Sequence, residues 1–185
     1  KNIGYAHYIK ISFQKGYMRR IAIVCTNINR AIGFKNDLIF NIPCEWKIFK
    51  KHTLSQDKNR PNVVLMGRKT FESIKCKPLP KRMNIVISSS SIELESMYRY
   101  DNLKFFYSIE ESLIYLEKNK KLFNDLFVCG GKGIYEHFVT NNLLDLFYLS
   151  EITGPENNLG DVFLTNTIDF VHSNYKKIYN ENHDN

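Results

Sequence analysis

Four short, unbroken apolar runs constrain this chain more than any other feature. They read RIAIVCT at residues 20–26, NVVLM at 62–66, MNIVIS at 83–88 and DLFVC at 125–129. Runs of this length, rich in β-branched residues and without polar alternation, are strands buried on both faces. Turn formers and stretches of helical spacing separate them. Strands of this kind alternating with helices form an α/β fold, a largely parallel central sheet with helices on its faces.

The weaker elements fit around that frame. Residues 5–13 alternate polar and apolar, as a half-buried strand does. Residues 103–107, 144–150 and 174–181 also read as strands. Helices are expected over 68–74, over 108–118 and from Gly131 through Phe138. Ser108 followed by Glu111 is a capping box at the second of these. Residues 92–100 fit neither pattern. The stretch IGFKNDLIFNIPCEWKIFKKHT, residues 32–53, starts as a loop and ends as a helix. Pro43 suits the first helical turn, and Glu45 falls where the helix dipole favours a carboxylate.

The length, 185 residues, fits one domain with a full core, here residues 18–185 behind an N-terminal segment, 1–17. Thirteen Phe and eleven Tyr supply large side chains for that core. No apolar run approaches membrane-spanning length, and the N-terminus lacks a signal-type apolar block, so a soluble cytoplasmic protein is expected. The four cysteines have neither zinc nor redox spacing, and the five histidines form no helical pair, which argues against a metal site and against disulfides. The net charge of +7 comes from lysines and arginines spread along the chain rather than clustered on one face. That spread argues against nucleic-acid binding and leaves a solvated surface or a cleft for a polyanionic small ligand.

Three spots follow buried strands: Gly67-Arg68-Lys69-Thr70, Ser88-Ser89 and Gly130-Gly131-Lys132-Gly133. Strand carboxyl ends are where open α/β sheets bind ligands, and helix N-termini with nearby cations hold anions. Each spot alone is ordinary turn chemistry; three on one sheet suggest a ligand with more than one phosphate. Glu45 has two readings. It is an exposed helix-start carboxylate, or a buried acid whose raised pKa makes it a proton source near neutrality.

In order along residues 19–181, the units IGxxNDLxxxIPxE, VVLMGRKTFESI, PLPKRMNIVIS, FVCGGKGIYEHF and GDVF resemble the dihydrofolate reductase family. The resemblance implies NADPH-dependent reduction of 7,8-dihydrofolate to 5,6,7,8-tetrahydrofolate, with hydride going to C6 and a proton to N5. It places the family's acid on Glu45, gripping the pterin 2-amino group and N3, with Ser150 as the hydroxyl beside it. It makes Trp46, Phe49, Ile74 and Leu79 the apolar wall. Arg82 is implied to pair with the α-carboxylate of the glutamate tail, and the carbonyls of Ile23 and Cys129 to meet the pterin amino group. For the cofactor it implies Arg68, Lys69 and Thr70 over the phosphates, with Arg68 near the 2′-phosphate, and Ser88 and Ser89 at the adenosine end. Gly130 and Gly131, a pair joined by a cis peptide in the family, lead into the pyrophosphate helix with Lys132, Gly133 and Ile134. Tyr135 falls near the nicotinamide, and Cys25, Ile32, Gly33, Leu38 and Gly67 complete the cofactor walls. Antifolates are implied as ligands, and thymidylate synthase as a possible fusion partner of an otherwise monomeric protein.

The sequence departs from the family at Phe40, where a tryptophan N–H usually helps hold a water near the acid; phenylalanine has no donor. Ile39 replaces a proline, and Thr165 stands where a proline is common. Two other readings share the fold: a reductase of a riboflavin-pathway pyrimidine, which needs neither Glu45 nor Arg82, and a non-catalytic folate or nucleotide binder. Family members usually close with a strand after one like 174–181. Residues 5–13 resemble that strand, which leaves two readings: a circular permutant in which they lie beside 144–150 and 174–181, or a disordered N-terminal extension on a truncated chain.

Overall fold

The computed structural model describes residues 2–10, 18–35, 37–39, 42–153 and 159–184. In chain order the elements are β1 (Asn2–Lys10), β2 (Arg20–Asn27), β3 (Ala31–Phe34), β4 (Asp37–Leu38), α1 (Pro43–Thr53), β5 (Val63–Gly67) and α2 (Arg68–Ser73). There follow β6 (Met83–Ile87), α3 (Ser91–Met97), β7 (Leu103–Phe106), α4 (Ile109–Lys118), β8 (Leu126–Val128) and α5 (Lys132–Thr140). The last are β9 (Leu146–Thr153), β10 (Val162–Phe163), α6 (Thr165–Asn174) and β11 (Tyr175–Asp184).

The four apolar runs become β2, β5, β6 and β8 at the centre of an eight-stranded sheet ordered β11-β1-β9-β2-β8-β5-β6-β7. From β9 to β7 every neighbouring pair is parallel. Only β1 runs against its neighbours, antiparallel to both β9 and β11. The fold is the expected α/β class with a mostly parallel mixed sheet. Alternate residues of one strand enter opposite core layers: Ala22 and Val24 on one face, Ile21 and Ile23 on the other, and likewise Val63 and Leu65 against Val64 and Met66. This is why the runs carry no polar alternation.

The first strand starts earlier than its alternation suggests. Among the described residues it spans Asn2–Lys10; the rest of the expected 5–13 stretch, with residues 11–17, lies outside them. Its long neighbours set the extent, pairing Asn2 with both Thr153 and Asp184. The glycine and asparagine of its first residues masked that start. Ile3, Tyr5, Ala6 and Tyr8 are buried, so β1 is a core strand.

Other boundaries move by one to three residues. Residues 92–100, ambiguous in sequence, contain α3. The helix over Thr165–Asn174 was not expected, because Thr165, Asn166, Thr167 and Asp169 are poor helix formers; burial of Ile168 and Val171 overrides them. The small sheet ordered β10-β3-β4 was also unforeseen. Its strands are two to four residues long and exist through distant pairing, Val162 against Gly33. Asn27 supports the turn before it, its Oδ1 accepting from the N–H groups of Asn29 at 3.0 Å and Ala31 at 2.9 Å.

All four cysteines are free thiols. Among the described residues no helix is long and apolar enough to cross a membrane, and no group of three or more His, Cys, Asp and Glu is placed to hold a metal.

Candidate active site

A cleft of about 940 Å³ opens at the carboxyl ends of β2, β5, β6 and β8. This is where a parallel sheet leaves space between diverging loops. Helix α1 covers one side and the first turns of α2 and α5 the other, with the small sheet at the rim.

Glu45 enters this cleft from the first turn of α1. Pro43 fixes the helix start, and Ile42 before it is buried with Ile3 and Ile152, which sets the angle at which the first turn leaves the sheet. The Ser150 hydroxyl on β9 donates to Glu45 Oε1 at 3.1 Å. Glu45 Oε2 is sealed from solvent and has no hydrogen-bond partner among the described residues. Burial raises the carboxyl pKa; the bond from Ser150 pulls it down, and burial prevails. With Oε2 sealed and Oε1 held by Ser150, the exposed helix-start reading of Glu45 does not hold. Phe40 lies outside the described residues.

The structure brings the apolar residues together. Ile23, Trp46, Phe49, Ile74, Leu79 and Cys129 line the cleft. The rings of Trp46 and Phe49 meet edge to face at 5.9 Å. The Ile23 carbonyl already accepts the Tyr135 hydroxyl at 2.8 Å, so a pterin amino group would have to use its second lone pair. Cys25 and Cys129 also line the cleft. Burial pushes the thiol of Cys25 well up and that of Cys129 to about 12, so neither is a nucleophile at neutral pH.

Arg82 is not part of the cleft lining. It is 5 % exposed, its Nε donating to the Pro80 carbonyl at 3.1 Å and Nη1 to Thr53 Oγ1 at 2.7 Å. No carboxylate among the described residues pairs with it. Desolvation lowers its pKa, as expected for a cation held by neutral oxygens.

The other side of the cleft is built for anions. Gly67, Arg68, Lys69, Thr70, Gly130, Gly131, Lys132, Gly133 and Ile134 line it together. Gly67 N–H donates to the Gly130 carbonyl at 2.7 Å, locking the end of β5 to the β8–α5 turn. The Gly130–Gly131 peptide is cis. Gly130 has φ +101°, and a Cβ there would lie 3.0 Å from the Tyr135 ring, so only glycine suits the position. Helix α5 has no side-chain cap, which leaves first-turn N–H groups for a ligand. Arg68 is exposed and bonded through Nε to Glu72 Oε1 at 2.7 Å, while Lys132 sits 3.6 Å from Glu136. Such exposed pairs are weak enough to exchange partners. Ser88 and Ser89 line the cleft at the end of β6, with Ile32, Gly33 and Leu38 at the rim.

Sequence reasoning missed Val162, Asp37, Glu72 and Phe34 as lining residues. Val162 comes from the GDVF unit, but nothing local shows that it pairs with Gly33. A second cleft, of about 370 Å³, lies between Lys10, Arg20, Leu126 and Asp145 at the opposite end of the sheet and holds none of these residues.

A family model for dihydrofolate reductase matches residues 20–185. The dihydrofolate reductase of Candida albicans is 35 % identical over 151 residues, 78 % of this chain and 75 % of that protein. The one from Saccharomyces cerevisiae is 31 % identical over 140 residues, 74 % of this chain but only 65 % of its own length. A solved structure of dihydrofolate reductase from Enterococcus faecalis, complexed with NADP(H) and RAB-propyl, superposes with a TM-score of 0.62 at 27 % identity, covering 78 % of this chain and 76 % of that one.

Proposed function

The chain belongs to the dihydrofolate reductase family, and from that premise we propose that Glu45 is the acid through which it reduces 7,8-dihydrofolate to 5,6,7,8-tetrahydrofolate with NADPH. The observation that carries this is the buried Glu45 carboxyl, held by Ser150 at 3.1 Å at the floor of the cleft. Its ionised form offers two oxygens to the pterin N3–H and 2-amino group. Its raised pKa favours the protonated form, which has a proton to deliver toward N5. Trp46, Phe49, Ile74 and Leu79 exclude water from the pterin and aminobenzoyl rings. Arg82 is assigned to the tail carboxylate. It has no acidic partner to give up, but a small shift of its neighbours must open it to the cleft.

The residues opposite fit NADPH, which supplies the hydride when bound. The uncapped start of α5, the close-packed Gly67, Gly130 and Gly131, and the side chains of Arg68, Lys69 and Thr70 are donors suited to phosphates. Cys25, Ile32, Gly33, Leu38, Ile134 and Tyr135 would wall the nicotinamide half, and Ser88 and Ser89 the adenosine half. NADPH oxidation followed with and without dihydrofolate tests the whole assignment; oxidation that does not depend on dihydrofolate would end it.

Arg68→Ala is expected to cut the preference for NADPH over NADH by roughly tenfold to a hundredfold in kcat/KM, the range of one charge-assisted hydrogen bond. An unchanged ratio would mean that another residue reads the 2′-phosphate. Trp46 is the sole tryptophan and is 36 % exposed at the cleft. Its fluorescence is expected to change on saturation with dihydrofolate or a diaminopyrimidine antifolate, after correction for absorbance.

Residues 2–10, between β9 and β11, are assigned the part of the closing strand that the family resemblance puts after β11, a circular permutation of the domain. Action as a cytoplasmic monomer without nucleic-acid partners is part of the same proposal. Fusion to thymidylate synthase is an open alternative: a bifunctional relative in Paramecium tetraurelia is 35 % identical over 106 residues.

A further inference from the structure

Strand β1 brings a second hydroxyl to the face of the sheet that α1 covers. Tyr5 lies directly opposite Ser150, and His7 opposite Tyr148, in the antiparallel β1–β9 ladder. Residues so opposed share a face of the sheet. Ser150 reaches Glu45 from that face, so it is the face covered by α1. The Tyr5 ring accordingly stacks on His52 of α1 at 5.5 Å, and His7 stacks on Tyr148 at 3.9 Å.

Tyr5 is 4 % exposed, and its hydroxyl is buried without a partner among the described residues. Glu45 Oε2 is in the same condition. A buried phenol and a buried carboxyl oxygen on one face of the sheet, each lacking a partner among the described residues, are complementary: one donates and the other accepts. The two groups also feel each other, since the Glu45 charge adds to burial in raising the phenol pKa.

We propose that Tyr5 is a positioning residue for Glu45, its hydroxyl donating to Oε2 through one bridging water, so that Ser150 and Tyr5 together fix the plane of the carboxyl toward the substrate. The proposal rests on the assignment of Glu45 as the acid. Fixing both oxygens from the protein side leaves each a lone pair for the pterin. A bond to the ionised form also sets where the carboxyl titrates.

The groups facing this compartment come from every element around it: His7 on β1, His52 on α1, Cys25 on β2, Tyr135 on α5, Tyr148 on β9 and Tyr179 on β11. Burial and His52 hold His7 down to about 4; burial and Lys51 lower His52. Burial raises Cys25, Tyr135 and Tyr148, and a bond to Glu181 raises Tyr179. Both histidines are therefore neutral at pH 7 and the thiol and phenols protonated. Burial raises Glu45 too, against the bond from Ser150 that lowers it.

The test is the pH dependence of kcat with dihydrofolate and NADPH in the full chain. Tyr5→Phe removes a donor to the carboxylate, so the midpoint is expected to rise by about half a unit to one unit. The KM for dihydrofolate should rise about threefold to tenfold, with NADPH affinity unchanged. Tyr8→Phe is the control on the opposite face of β1, where the hydroxyl pairs with His172 Nε2 at 3.1 Å; it should leave the midpoint in place. Incorporating 3-fluorotyrosine at position 5 preserves packing and strengthens the donor, so the midpoint should fall; this arm decides the matter if Tyr5→Phe does not fold. An unmoved midpoint in either position-5 variant overturns the proposal. Loss of activity in Glu45→Gln alongside an unmoved Tyr5→Phe midpoint would overturn it alone, whereas normal turnover of Glu45→Gln would overturn the assignment beneath it.

Discussion

Glu45→Gln is expected to lower hydride transfer to dihydrofolate at pH 7 by two to four orders of magnitude, with NADPH affinity little changed. General acid–base groups contribute about 10²–10⁴-fold, and glutamine keeps the shape and the Ser150 contact while losing the proton and the charge. The same substitution should not destabilise the protein at neutral pH. Burial raises the folded-state pKa of Glu45 above the unfolded value. The stability this group contributes is therefore complete below the unfolded pKa and is lost as pH rises through the folded pKa. Glutamine carries no such loss. Thermal melts of the two proteins should lie closest in acid, and the variant should gain on the parent as pH rises into the neutral range. A Glu45→Gln enzyme with near-normal single-turnover rates would end the assignment. An inactive variant whose relative stability fell as pH rose would mean that the carboxyl is not desolvated.

The parts of the fold legible in sequence are those set by local pattern. The runs at β2, β5, β6 and β8 announce themselves because both their faces are buried, and a sheet built from them puts Gly67, Ser88 and Gly130 at one end of the molecule. Pro43 and Glu45 mark the start of α1 through short-range rules, and Ser108 and Glu111 do the same for α4. There the sequence reading is met almost to the atom: Ser108 Oγ accepts from Glu111 N–H at 3.1 Å, although Glu111 Oε2 reaches the N–H of Tyr107, not of Ser108, at 2.9 Å. What could not be read depends on partners distant in the chain. Gly33 pairs with Leu38 close by, but its second partner, Val162, lies far along the chain. Arg82 is buried against Thr53 by packing that no spacing encodes. The approach of Tyr5 to Glu45 needs the register of β1 on β9, and a slip of one residue would turn Tyr5 to the other face.

That register makes the first strand costly to remove. A chain lacking residues 1–17 is expected to lose its cooperative thermal transition, or to melt far below the full chain. Ile3, Tyr5 and Tyr8 are at most 5 % exposed, and burying side chains of this size contributes roughly 1.5–3 kcal/mol each. Together they account for roughly 4–9 kcal/mol, against about 5–15 kcal/mol for the whole stability of a typical domain. The deletion also strips the ladder from two strands at once, since β9 and β11 each pair with β1. Their N–H and C=O groups would face a gap in the sheet where no other strand among the described residues is placed to accept them. The site would suffer with the sheet, because β9 carries Ser150 and Tyr5 packs under α1. Circular dichroism melts of the full and shortened chains, with dihydrofolate turnover measured on both, test this directly. Equal melting temperatures would show that β1 is dispensable and would remove the basis for reading it as the domain's permuted closing strand.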